Sequence, residues 1–151
     1  MHRIALFVLL SPVLAFARLG ETPAEIAARY GASLEDSPGP DARCTRSVHH
    51  FGGFRIFVAF LDGRSAFEAM IKTGPEAITD EEVQALLAAN AGGAEWKLAR
   101  GDGNLVEWES APDRLATLLR SQRSLSIKTR AYLAYDEAAK AQASKARLKG
   151  F

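Results

Sequence analysis

The hydrophobic residues of the chain follow three patterns along its length. An almost unbroken apolar run fills residues 4–14, apolar and polar residues alternate in several segments between 45 and 129, and spacings of three and four residues mark 22–30 and 79–91. Alternation predicts half-buried strands, and spacings of three and four predict amphipathic helices. Together they predict an α+β fold, a mainly antiparallel sheet with short helices on one face.

Residues 1–17 have the three parts of a secretory signal peptide. His2 and Arg3 form a basic start, the apolar run follows, and small residues flank Phe16 before the predicted cleavage between Ala17 and Arg18. A run of about eleven apolar residues is well short of the roughly 20 that span a bilayer. We therefore expect a periplasmic or secreted protein without a transmembrane anchor after cleavage; the alternative is a buried N-terminal element of a cytosolic domain.

The remaining residues are enough for one domain. The sequence is 48% hydrophobic and 25% charged, as in ordinary globular proteins, and no sequence repeat is evident. We assign residues 18–129 to a single α+β domain. Residues 130–151 are basic and rich in Ala and Lys, with only a thin apolar stripe, which predicts a C-terminal helix or tail.

The first predicted helix, 22–30, has both ends marked. Thr22 and Glu25 have the spacing of a capping box, in which each side chain accepts a hydrogen bond from the backbone N–H of the other residue, and Gly31 ends the helix. Glu25 and Arg29 are four residues apart, which favours an ion pair along the helix. Residues 33–43, rich in Pro and Asp, are expected to form a loop.

The second predicted helix, 79–91, starts in the same way. Thr79 and Glu82 form its capping box, and Val83, Leu86 and Leu87 form its buried stripe. The Gly-Gly pair at 92–93 is expected to end it.

Residues 45–72 predict a three-stranded antiparallel meander with two two-residue turns. The turns are Gly52-Gly53 and Asp62-Gly63. Counting outward from the second turn gives the predicted register: Leu61 opposite Arg64, Val58 opposite Phe67, Ile56 opposite Ala69 and Phe54 opposite Ile71.

A further hairpin is predicted over residues 95–109. A three-residue loop at 101–103 sets Trp96 opposite Trp108 and Leu98 opposite Val106. The two tryptophans could form a stacking platform for a ligand, although packing against the core is favoured. Residues 115–129 have the pattern of two more strands.

Charge is divided along the chain. Residues 18–109 carry nine Lys or Arg and fifteen Asp or Glu, whereas residues 110–151 carry nine and three. The basic segment could bind an anionic polymer or pack against the acidic part of its own chain, and the second interpretation is favoured because the cations are dispersed. The residues that would bind an anionic polymer are Arg120, Arg123, Lys128 and Arg130.

Catalytic and metal-binding patterns are scarce. His49 and His50 are neighbours on a predicted strand and point to opposite faces, so they cannot chelate one ion together. We predict no metal site, no catalytic residue and no cofactor, because the spacings of a zinc site, a phosphate-binding loop and a dinucleotide fingerprint are missing from the sequence. A thiol nucleophile, Cys44 with His49 or His50, is an alternative.

The segment "GETPAEIAARYG" at 20–31, followed by strands and the "FLDG" turn, resembles the start of small exported bacterial proteins of unknown function. It is also similar to the BamE-type outer-membrane assembly lipoproteins and to the β-lactamase-inhibitor-like fold. The resemblance covers residues 20–72 and departs in two respects: the lipid-bearing cysteine is missing, and the second half of the chain has no counterpart. It implies a non-catalytic envelope or binding module and transfers no functional residue.

The sequence thus favours an exported, non-catalytic binding or envelope-associated protein. Its expected partner is an envelope protein or an anionic polymer, and no nucleic acid is expected. The alternatives are a small secreted hydrolase or thiol enzyme that uses Cys44, and an anionic-polymer binder that uses the basic C-terminal segment.

Overall fold

The structure is a computed structural model that describes residues 19–149. The predicted signal peptide and its cleavage site between Ala17 and Arg18 lie outside these residues. The described part contains three α-helices and eight strands, and a short 3₁₀ helix, Arg120–Gln122, precedes the last strand. In chain order the elements are α1 (Pro23–Tyr30), β1 (Glu35–Pro38), β2 (Cys44–Phe51), β3 (Phe54–Leu61), β4 (Arg64–Lys72), α2 (Asp80–Ala89), β5 (Trp96–Gly101), β6 (Leu105–Ser110), β7 (Arg114–Leu119), β8 (Ser124–Thr129) and α3 (Arg130–Leu148).

Both predicted capping boxes are present. The Thr22 hydroxyl accepts a hydrogen bond from the Glu25 backbone N–H, and the Glu25 carboxylate accepts one from the Thr22 backbone N–H. Thr79 and Glu82 form the same pair of bonds at α2. The α2 helix ends at Ala89 with Asn90 as its cap, slightly before the predicted glycine pair.

All eight strands join one antiparallel sheet in the order β1-β2-β3-β4-β8-β7-β6-β5. The chain therefore forms two units, each a helix followed by a four-stranded meander, whose last strands β4 and β8 pair at the centre. Ile26 and Tyr30 are buried four and eight residues after Thr22, and Val83 and Leu87 are buried at the same distances after Thr79. The units share cap and burial positions rather than residue identities, which is why the sequence shows no repeat.

The helices α1 and α2 cover one face of the sheet, which we call the inner face. Their buried residues share one hydrophobic core with inner-face side chains from both meanders. That core comprises Leu19, Ile26, Tyr30, Phe54, Ile56, Val58, Phe60, Met70, Ile78, Val83, Leu87, Ala116, Leu118, Leu125 and Ile127.

The predicted register of the β3–β4 hairpin is correct only beside the turn. Leu61 lies opposite Arg64, but a bulge leaves Ala66 without an opposing residue and shifts the pairing by one, so that Val58 faces Glu68. A shift of one residue moves every later side chain to the other face. The inner face consequently receives Glu68 and Met70 instead of the predicted Phe67, Ala69 and Ile71.

The predicted register of the β5–β6 hairpin is also wrong. Trp96 lies opposite Ser110 and Leu98 opposite Trp108, because the connection spans residues 102–104 and the pairing is irregular between Leu98 and Arg100. Both tryptophans still point to the inner face, where they pack against the core.

The opposite face, which we call the outer face, is covered at one end by the start of α3. The Tyr132 ring stacks on the Phe67 ring with centroids 5.2 Å apart, and Tyr132 shares a small buried cluster with Cys44, Ala59 and Ala66. Residues 140–149 of α3 and its C-cap are exposed. Within residues 19–149, none of the helices has the length and apolar character needed to cross a membrane.

Candidate functional site

The two tryptophans do not form an exposed platform. Both are half-buried against the inner-face core, and the Trp96 indole N–H donates a 2.7 Å hydrogen bond to the Leu87 carbonyl oxygen. Trp96 thereby fastens β5 to α2. This placement agrees with the packing interpretation of the pair.

The structure does not bring the four basic residues together. Arg120 and Arg123 lie at the turn between β7 and β8, where Arg120 contacts Asp80 at 2.9 Å and Arg123 donates to the Gly74 carbonyl oxygen. Arg130 lies at the other end of β8 and forms a 3.2 Å ion pair with a carboxylate of β6, Glu109. Lys128 points to the outer face, opposite Phe67 of β4. Three of the four cations are therefore engaged within the chain.

The candidate thiol dyad is not assembled. Cys44 is buried on the outer face, where desolvation raises the pKa of its thiol, and His49 lies five residues further along β2 on the inner face. At about 3.3 Å per residue their Cα atoms are roughly 16 Å apart. His50 is exposed, and it is one residue further still from Cys44.

His49 instead forms a local hydrogen-bond chain. Its Nδ1 lies 3.0 Å from the Gly31 carbonyl oxygen and its Nε2 lies 2.9 Å from Ser47 Oγ. Because a carbonyl oxygen can only accept, Nδ1 donates to Gly31, and Nε2 shares a hydrogen bond with the Ser47 hydroxyl. Both ring nitrogens are thus occupied. Across the described residues, His, Cys, Asp and Glu form no group of three that could hold a metal ion.

An apolar groove crosses the outer face beside α3. We call it the outer groove; its volume is about 540 Å³, and the apolar residues that line it include Val48, Phe57, Phe67, Ala69, Ile71 and Tyr132. Phe57, Ala69 and Ile71 are only partly buried, although a sheet face that remains in water usually carries polar residues.

The charged side chains around the outer groove are mostly cationic. The Arg55 guanidinium lies over the Phe57 ring, 5.0 Å from its centroid, and Arg46 and Lys128 flank the groove on either side. Glu35 is the acidic residue among those that line it.

A buried polar cluster lies under α1 on the inner face. Glu68 has no exposed surface, and its Oε2 accepts a 2.9 Å hydrogen bond from the Tyr30 hydroxyl. Burial raises the pKa of the Glu68 carboxyl, against the opposing effects of Tyr30 and of the Arg29 charge. Arg29 is ion-paired with Glu21 rather than with the predicted Glu25, whose carboxylate caps Thr22.

A cleft opens between the last turns of α1 and α2, next to this cluster. We call it the interhelical cleft. Its volume is about 500 Å³, and it is lined by Ala28, Arg29, Tyr30, Phe51, Gly52, Phe54, Ile56, Met70, Leu86 and Ala89. Phe51 stands at its mouth with 53% of its surface exposed, and its ring lies 5.7 Å from the Tyr30 ring.

Sequence patterns did not single out Glu68, and they assigned Arg29 to an ion pair with Glu25 rather than to a buried cluster. Glu68 lies between Phe67 and Ala69, and the regular register assigned it to the solvent face, so only the bulge at Ala66 places it inside. The available signal for Arg29 was its position directly before Tyr30 at the end of α1, where a long side chain can fold back over the core.

No protein-family model and no curated protein matches the chain. A crystal structure of a cysteine-rich secretory protein from Staphylococcus aureus subsp. aureus Mu50 superposes with a TM-score of 0.47 at 12% identity, covering 77% of this chain and 46% of that chain. The chain thus spans less than half the length of that protein.

Proposed function

We propose that this is an exported, non-catalytic binding protein that engages a partner polypeptide in the outer groove. The observation that carries the proposal is the row of partly exposed apolar side chains, Phe57, Ala69 and Ile71, on a sheet face that, within residues 19–149, is covered by the start of α3 at one end. Contiguous exposed apolar surface on a small domain commonly marks an interaction site.

The charges around the groove specify the partner. Arg46, Arg55 and Lys128 surround apolar side chains, with Glu35 as the opposing charge. Electrostatic complementarity therefore favours a segment that carries apolar side chains flanked by Asp or Glu. In this proposal the cations around the binding site lie on the sheet face rather than along the basic C-terminal segment. Of the three, Lys128 belongs to that segment.

Site-specific photocrosslinking tests the partner. A benzophenone amino acid at position 57 or 69 is expected to crosslink one polypeptide in the host, whereas the same probe at Gln84, exposed on α2, is not. An Ile71→Glu substitution is expected to abolish the crosslink because it places a like charge beside the acidic flanks of the partner and removes apolar contact.

The location of the crosslink decides the outcome. A crosslinked peptide with apolar residues next to Asp or Glu supports the proposal. Crosslinking to a second copy of this chain would instead identify the groove as a self-association surface, and equal crosslinking from positions 57 and 84 would contradict a specific site.

Export has its own test. Mature protein recovered from the periplasm or the medium is expected to begin at Arg18. An intact Met1 on functional protein would contradict export.

A further inference from the structure

A second groove runs between α1 and the inner faces of β1 and β2. We call it the edge groove, and its volume is about 740 Å³. The helix contributes Pro23 and Ala27 to one wall, and Asp36, Ser47 and His49 belong to the strands that form the other. Cavities of this size that are largely apolar, with a few polar groups, are typical of ligand sites.

The second unit of the fold provides an internal comparison for this groove. Cross-strand pairing connects His49 of β2 through β3 to Met70 of β4, and it connects Trp108 of β6 through β7 to Ile127 of β8. Met70 and Ile127 lie equally far along the chain from the capping-box threonines of their units. Trp108 therefore occupies in the second unit the position that His49 occupies in the first.

Tryptophan side chains fill the corresponding space in the second unit. Trp96 and Trp108 pack there against the inner-face core, and the indole N–H of Trp96 is bonded to the end of α2. In the first unit the smaller His49 ring replaces Trp108, and the residue that follows the end of α1 and lines the groove is Ala32, with a single methyl group. The edge groove is thus a space that aromatic rings occupy in one unit and that is open in the other.

The polar side of the edge groove carries a negative charge. Asp36 lies directly opposite Ser47, and both residues line the groove. Asp36 is exposed, and its carboxylate forms no ion pair within residues 19–149. Arg46 is also among the lining residues, but neighbouring strand residues point to opposite faces, and Arg46 flanks the outer groove.

The hydroxyl of Ser47 adds an acceptor beside this carboxylate. It shares one hydrogen bond with His49, and a hydroxyl oxygen has two lone pairs, so it can accept a further bond. A carboxylate next to a hydroxyl favours a ligand group that is positively charged and donates hydrogen bonds, as an ammonium group does.

We propose that the edge groove binds a small aromatic amine. The ring lies between Ala27 and His49, in the space that tryptophan fills in the second unit, and the ammonium group contacts Asp36 and Ser47. The edge groove lies on the opposite face of β1 and β2 from the outer groove, so this binding is independent of the proposed function.

Calorimetric titration with tryptamine and two related compounds tests the ring and the charge separately. Tryptamine is expected to bind. Butylamine has the ammonium group without the ring, and it is expected to bind at least tenfold more weakly because it buries less apolar surface. Indole-3-propionate has the ring with a carboxylate in place of the ammonium group. It is expected to bind about fivefold more weakly, the upper range for an exposed ion pair.

Two pairs of variants locate the site. Ala27→Phe fills the groove from the α1 wall and is expected to remove tryptamine binding, whereas Ala85→Phe, at an exposed position of α2, is expected to leave it unchanged. Asp36→Asn is expected to remove the preference for tryptamine over indole-3-propionate. Glu35→Gln removes the neighbouring carboxylate, which lines the outer groove, and is expected to change the tryptamine affinity less than twofold.

Three results would overturn the proposal. They are the absence of tryptamine binding to the wild type, tryptamine binding that persists in Ala27→Phe, and equal affinity for the three compounds. If Ala27→Phe fails to fold, His49→Trp, which introduces the side chain found at this position in the second unit, takes its place, and the compound series with Asp36→Asn remains decisive.

The outer-groove variant Ile71→Glu separates this proposal from the proposed function. It is expected to abolish crosslinking to the partner polypeptide and to leave tryptamine binding unchanged. Loss of tryptamine binding in folded Ile71→Glu would place the amine in the outer groove and contradict a site in the edge groove.

Discussion

The Tyr30 hydroxyl donates a 2.9 Å hydrogen bond to Glu68 Oε2, and this bond connects the last turn of α1 to a carboxyl group inside the sheet. Both residues are buried, so water does not compete for the bond. A polar contact within an apolar core therefore helps to hold α1 on the sheet, beside the interhelical cleft.

Loss of this hydrogen bond should destabilise the fold. Tyr30→Phe removes the donor and leaves the buried carboxyl without it, so the free energy of unfolding is expected to fall by about 1–3 kcal/mol. In a Glu68→Leu background the same substitution removes a hydroxyl that has lost its acceptor, and is expected to be neutral or stabilising. Urea unfolding of the wild type, Tyr30→Phe, Glu68→Leu and the double variant gives the coupling energy between the two residues. Purely additive effects on the free energy of unfolding would contradict a direct bond.

Glu68 should also give the stability a distinctive pH dependence. Its pKa is raised in the folded state above the ordinary value of 4.5, so above pH 4.5 the folded protein holds a proton that the unfolded chain has lost. Stability attributable to Glu68 is therefore expected to fall as the pH rises from 4.5 through the raised pKa, by at most about 1.4 kcal/mol per pH unit.

The control for this effect is Glu68→Gln, which cannot titrate. Other carboxyls, such as those of Glu25 and Glu82, have lowered pKa values and contribute stability that is lost on acidification. These carboxyls are present in both the wild type and Glu68→Gln, so their contribution cancels in the comparison. The difference between wild type and Glu68→Gln in urea unfolding from pH 4.5 to 8 isolates Glu68. A difference that does not change with pH would contradict burial of the carboxyl.

Features decided by adjacent residues could be predicted from the sequence. The capping boxes at Thr22 and Thr79 each depend on four consecutive residues, and the turn at Asp62-Gly63 depends on two. Their geometry does not require knowledge of the rest of the fold.

Features decided by distant contacts could not be predicted. A bulge adds one residue where packing favours it. The bulge at Ala66 reversed the faces of the following residues of β4 and placed Glu68 on the inner face, contrary to the predicted register. The strand β1 was assigned to a loop because Asp36 and Pro38 disfavour strands, but it is an edge strand, where proline is tolerated. Both candidate sites depend on these long-range relationships.

The capping box of α2 also connects that helix to the sheet. Glu82 accepts hydrogen bonds from the Thr79 backbone N–H at 2.8 Å and from Lys72 Nζ at 2.9 Å. Thr79→Ala removes the other half of the box and is expected to lower the free energy of unfolding by about 1 kcal/mol. Gln84→Ala, at an exposed position of the same helix, is expected to change it by less than about 0.5 kcal/mol. Equal losses in the two variants would contradict the cap.

The helix α3 should contribute stability only through its first turns. Tyr132 is buried against Phe67, whereas the side chains from Lys140 onward are exposed. Tyr132→Ala is expected to lower the free energy of unfolding by about 3 kcal/mol because it leaves a cavity over the outer face. Truncation after Lys140 is expected to change it by less than about 0.5 kcal/mol, since no buried contact is lost. Chemical unfolding compares the two variants directly, and a truncation that costs as much as Tyr132→Ala would show that the exposed half of α3 packs against the domain.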